Sequence, residues 1–113
     1  MNNTEETHEK ASFDYTRNHT LHIINKSPSE KSLYADCFSA LNNNDGLLFI
    51  ESAVYACKDN DLTLPDIKVH LYILQTDLDA RGLPSTLRSK FTSIDDNEFV
   101  KLCCEYKKTI SWF

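Results

Sequence analysis

Glycine is almost missing from this chain: its 113 residues hold two, Gly46 and Gly82. Neither the G-x-G-x-x-G fingerprint nor the Walker pattern can be assembled from them, which excludes a phosphate-cradling nucleotide site. Long apolar runs are lacking as well. None approaches the roughly 20 residues that cross a bilayer, and the N-terminus lacks the basic region and apolar core of a secretory signal, so a cytoplasmic protein without membrane contact is expected. Concentrated positive charge is a third absence. The formal net charge is -5 and the lysines are scattered, which argues against direct nucleic-acid contact. C-x-x-C spacing is a fourth. Cys37, Cys57, Cys103 and Cys104 stand without it and without a secretory context, so reduced thiols are expected rather than a disulfide framework or a zinc site. The His19-x-x-His22 pair points to opposite faces of a strand. No metal and no cofactor is expected.

What is present suits a small globular domain, with 41% hydrophobic and 26% charged residues. A domain of this size buries only about two-thirds of the surface its unfolded chain exposes, so leftover apolar faces tend to be covered by a partner. Residues 1–18 are polar with little periodicity and are expected to form a flexible extension, leaving 19–113 as a single domain.

Along that domain, Thr20 to Ile24 reads as a buried strand followed by a helix-start signal, with Ser27 as cap, Pro28 at the first helical position and Glu30 completing a capping box. The helix places Leu33, Cys37, Phe38 and Leu41 on one face and should stop at Asn42 to Gly46. Leu47 to Ile50 is a second strand, Val54 to Cys57 a short helical piece, and Ile67 to Leu74 a third strand with Ile67, Val69, Leu71 and Ile73 toward the core. Asp77 to Gly82 forms a turn or short helix and Phe91 to Ile94 a fourth strand. Asp95 and Glu98 cap a last helix, whose inner face runs Phe99, Leu102, Cys103, Tyr106, Ile110. Alternating strands and helices imply an α/β fold, a small mostly parallel sheet flanked by helices.

Two chemistries can be weighed from the residues. A response-regulator site needs an acidic pair after the first strand, and Asn25-Lys26-Ser27 supplies none. Cysteine sulfur chemistry needs a thiolate in a cationic or helix-N-terminal setting. Cys37 lies roughly 13 Å along its helix, beyond the reach of the first turn, and its helical neighbours Leu33, Tyr34, Ala40 and Leu41 carry no charge, so the residues favour a core role. Cys104 has Lys101, Lys107 and Lys108 three or four positions away, a setting that lowers a thiol's pKa if the lysines gather round it.

Several segments carry a resemblance to a known family. Thr20-Leu21-His22-Ile23-Ile24-Asn25-Lys26-Ser27-Pro28 resembles the opening of TusB/DsrH proteins. Asp45 to Glu51 with Val54-Tyr55-Ala56 is similar to their second strand and following turn, and Asp77-Leu78-Asp79-Ala80-Arg81-Gly82-Leu83 to their signature after strand three. Phe99 to Leu102 and the near-terminal Trp112 complete the likeness across residues 20 to 113.

The resemblance implies a DsrE/DsrF-like layered domain serving as a subunit of a sulfur-relay complex, with TusC-like and TusD-like subunits in a dimer of heterotrimers. Persulfide sulfur would pass from a TusA-like donor through the complex to a TusE-like acceptor, toward 2-thiouridine at the tRNA wobble position. The chain itself is expected to be a non-catalytic assembly subunit of that sulfurtransferase complex. The alternative is a DsrH-like carrier in a DsrEFH-type sulfur-oxidation complex, with Cys37 as the sulfur acceptor, because Cys37 falls where DsrH-type members carry their cysteine. Ala53 stands where the family usually has glycine, and Cys57, Cys103 and Cys104 are not called for by its pattern. Tyr55, Arg81, Trp112 and Phe113 are interface candidates, and the apolar Ile110-Trp112-Phe113 end is expected to fold back or to dock on a partner.

Overall fold

The computed structural model describes residues 18–83 and 90–113. The expected N-terminal extension therefore lies outside the described residues, but for Asn18. The elements are β1 (Thr20–Ile24), α1 (Lys31–Ala40), β2 (Gly46–Phe49), a 3-10 segment (Glu51–Lys58), β3 (His70–Leu74), α2 (Gln75–Ala80), β4 (Thr92–Ile94), α3 (Asp96–Glu105) and β5 (Lys108–Trp112). They form a five-stranded sheet in the order β4-β3-β2-β1-β5, and every pairing is parallel. The α/β architecture expected from the alternating elements is the one observed.

The central strands are apolar on both faces, as a parallel sheet covered on both sides requires. Leu47, Phe49, Ile73 and Ile24 join Cys37 of α1, Val54 of the 3-10 segment and Leu78 of α2 in one core layer. Leu21, Ile23, Leu48 and Ile50 face the other way and pack with Leu102 of α3. The chain steps outward from β1 to β4 and then returns past β1 to lay down β5. The reversal falls between β1 and β5, and folds of this kind bind ligands outside the carboxyl ends of the strands at such a reversal.

Four local expectations change. The first helix starts at Lys31 rather than Pro28, because the Ser27 hydroxyl is paired with that of Ser29 at 2.6 Å and Glu30, the N-cap, makes no side-chain bond there. The third strand starts at His70, and Ile67 is 36% exposed, outside the core. Ile67 donates its N–H to the Pro65 carbonyl in a tight turn, and Lys68 N–H is taken by the Asn43 side chain, which bends the chain before pairing begins. The last helix ends at Glu105, and Ile110 belongs to a fifth strand. Tyr106 is already extended at φ -80 and ψ 149, and Lys107 N–H reaches the His19 carbonyl, starting the ladder with β1. Lys107 and Lys108 thus leave the helix surface, so of the three lysines expected beside Cys104 only Lys101 shares its helix.

Other signals hold as read. Asp95 and Glu98 form a reciprocal capping box on α3, each side chain accepting the other's backbone N–H at 2.8 Å. No helix among the described residues is long and apolar enough to cross a membrane.

Candidate functional site

At the carboxyl edge of the sheet, three strand ends are tied together by side chains. Glu51, the first residue of the 3-10 segment that follows β2, sits at φ 50, a backbone region that non-glycine residues enter at a cost of about 1–2 kcal/mol. It is held there from two sides. Its N–H donates to Asp77 Oδ2 at 2.6 Å, and its carboxylate accepts from Asn25 Nδ2, after β1, at 3.0 Å. Arg81 approaches Asp77 Oδ1 at 3.8 Å and donates to the Asp77 carbonyl at 3.4 Å. Arg81 is thereby partly engaged inside the molecule, as a brace for the carboxylate that fixes Glu51. Backbone strain of this kind persists where surrounding structure enforces it, and it gathers at functional surfaces.

Gly82 explains the signature that follows Arg81. It adopts φ 62 and ends α2 by donating to the Asp79 carbonyl, while Leu83 N–H donates to the Leu78 carbonyl. Leu78 and Leu83 are both buried in the same core layer, completing a Schellman stop.

Beside this edge a cleft of about 680 Å³ is lined by Lys26, Ser27 and Pro28 from the loop after β1 and by Ser52, Tyr55 and Lys58 from the 3-10 segment. Tyr55 is 42% exposed and Phe113, the last residue after β5, is 63% exposed. Both are large apolar side chains open to solvent near the carboxyl ends of the strands.

The opposite edge holds a buried polar cluster. Asp45, in the turn before β2, accepts Thr20 N–H at 3.1 Å on Oδ1 and Asn42 N–H at 3.0 Å on Oδ2. Its Oδ2 also lies 3.0 Å from His22 Nε2, and both residues are almost fully buried. Trp112 Nε1–H donates to His22 Nδ1 at 3.1 Å. An indole nitrogen only donates, so Nδ1 carries the lone pair and Nε2 carries the proton that goes to Asp45. The folding-back expected of the chain end is this contact together with the β1–β5 ladder. His19 and His22 both approach Asp45, and no group of three or more metal-binding side chains occurs among the described residues.

The cysteines separate by burial. Cys37 is 0% exposed, and burial pushes its thiol up to about 12. Cys57 is buried, Cys103 is half-buried with its thiol raised by burial first and by Cys104 second, and Cys104 is exposed. Cys37, the candidate sulfur acceptor, is in this fold a core group: α1 would have to lift for its sulfur to meet a partner. The residues that sequence reasoning missed are Glu51, Asp77 and Asp45. All three lay inside quoted segments, but nothing local marks a positive φ or a bond between distant turns.

Fold and site together define a small all-parallel α/β domain whose polar clusters brace surfaces, with one exposed thiol among the described residues. The comparisons with known proteins agree. A family model described as DsrH like protein matches residues 26–109. Protein TusB of Escherichia coli O81 (strain ED1a) is 30% identical over 95 residues, covering 81% of this chain and 99% of that protein. Protein TusB of Buchnera aphidicola subsp. Baizongia pistaciae (strain Bp) is 30% identical with the same coverage, and that of Shigella boydii serotype 18 (strain CDC 3083-94 / BS512) is 28% identical. The chain belongs to the TusB/DsrH family.

Proposed function

We propose that this chain is the assembly subunit of a cytoplasmic sulfur-relay complex of the Tus type, one that shapes a partner's reactive site and carries no sulfur itself. Family membership supports the sulfur-relay setting. The burial of Cys37 carries the assignment of role: a persulfide relay needs an accessible thiolate, and this thiol is neither accessible nor readily ionised. TusC-like and TusD-like subunits are the partners, in a dimer of heterotrimers, with a TusA-like donor and a TusE-like acceptor meeting the assembled complex. The product of the relay is 2-thiouridine at the tRNA wobble position, made without tRNA touching this chain.

Tyr55 and Phe113 are the residues we place at the interface, because they are apolar and exposed. Arg81 and Trp112 support that surface through Asp77 and His22 instead of forming it. Co-expression with the partner subunits tests this division. Tyr55→Ala and Phe113→Ala should weaken co-purification severalfold while the chain stays folded, and Cys37→Ala should leave tRNA thiolation near wild type. Abolished thiolation in a Cys37→Ala complex that still assembles would overturn the assembly-only role and make Cys37 a covalent sulfur carrier, the role the DsrH-like alternative gives it.

A further inference from the structure

Trp112 is the only tryptophan in the chain, and its anchor is a titratable ring. The indole and imidazole planes lie within 20° of each other, and the second imidazole nitrogen is committed to Asp45. The indole N–H needs the lone pair on His22 Nδ1, and an imidazolium has none. A proton and Trp112 therefore compete for one lone pair, and the competition is reciprocal by linkage. Asp45 decides what happens to the charge. Its carboxylate on the far side of the ring would pair with the cation, so protonation exchanges one hydrogen bond for an ion pair instead of leaving a bare buried charge.

We propose that His22 is a proton-operated latch on the C-terminal strand: the neutral ring holds Trp112 against β1, and the imidazolium releases the indole while Asp45 retains the ring. The inference stands without the assembly reading, since it concerns contacts within this chain. Other ionisable groups surround the cluster. His19, at the head of β1, has Nδ1 4.0 Å from Asp45 Oδ1. His70, at the start of β3, donates its N–H to the Asp45 carbonyl and is held below the ordinary imidazole range by burial, then by Lys68 and His19. Tyr106, after α3, is kept protonated far into the alkaline range by burial, then by Tyr72, with the Asp45 charge adding to it. Lys107 and Lys108 lead into β5 and are exposed.

Proton and nitrogen NMR of the full chain tests the latch. The single indole N–H resonance should move upfield and exchange faster with solvent as pH falls, with the same midpoint as the His22 ring nitrogens. In His22→Gln, which keeps an acceptor that does not titrate, the acid-induced shift should be lost. An indole resonance that stays put while His22 takes up its proton would overturn the proposal, as would a neutral ring carrying its proton on Nδ1. Should the glutamine variant fail to fold, comparing the two midpoints in the wild-type chain decides the question alone.

Discussion

Cys37 and Cys104 sit on different helices with opposite surroundings, and their chemistry should differ accordingly. A thiol reagent added to the folded chain should label Cys104 first, with Cys37 protected until global unfolding. Fast labelling of Cys37 under native conditions would show that α1 opens. The pH dependence has a definite sign. Burial raises the Cys37 thiol from 9.0 to about 12, so the folded state holds that proton more tightly than the unfolded chain does. The stability this contributes is complete below about pH 9 and is lost as pH rises through about 12. Urea midpoints should fall over that alkaline window. Cys37→Ala should cost about 1–2 kcal/mol at neutral pH and flatten part of the fall, the rest belonging to Tyr34 and Tyr106, whose phenols burial also raises. Gly46 makes a second residue-scale case. A Cβ there would lie 2.6 Å from the Tyr106 hydroxyl, so Gly46→Ala should cost about 1–3 kcal/mol, with Tyr106→Phe restoring part of it.

Among the elements, α3 and β5 show what a sequence discloses and what it conceals. The capping box of α3 is a contact between residues three positions apart, so Asp95 and Glu98 were readable directly, and Asp95→Ala should lower stability by about 1 kcal/mol in chemical denaturation. The end of that helix was not readable. Phe99, Leu102, Cys103, Tyr106 and Ile110 keep a helical spacing, and only the ladder of β5 with β1, far away in sequence, pulls Tyr106 and Ile110 out of it. The same reason hid the site. Glu51 depends on Asn25 and Asp77, each 26 residues away, and His22 depends on Trp112, 90 residues away. Strands β1 and β2 were legible because burial on both faces leaves apolar runs that need no partner to be recognised. The β5 result also changes how the chain end should be probed. Deleting residues 110 to 113 would remove most of an edge strand, so Phe113→Ala is the cleaner variant.

At the scale of the whole molecule, the parallel sheet is complete around β1 and β2, and its carboxyl edge carries the strained Glu51, the open cleft and the exposed Tyr55 and Phe113. That arrangement suits a subunit that presents a stiff surface to its neighbours. It suits a sulfur carrier poorly, since the family's candidate thiol lies in the core. The direct test is intact-mass analysis of the complex co-purified with the TusC-like and TusD-like partners proposed above, after loading with a persulfide donor. Our account predicts the mass of one added sulfur atom on a partner subunit and an unchanged mass for this chain. Added sulfur mapped to Cys37 would contradict it.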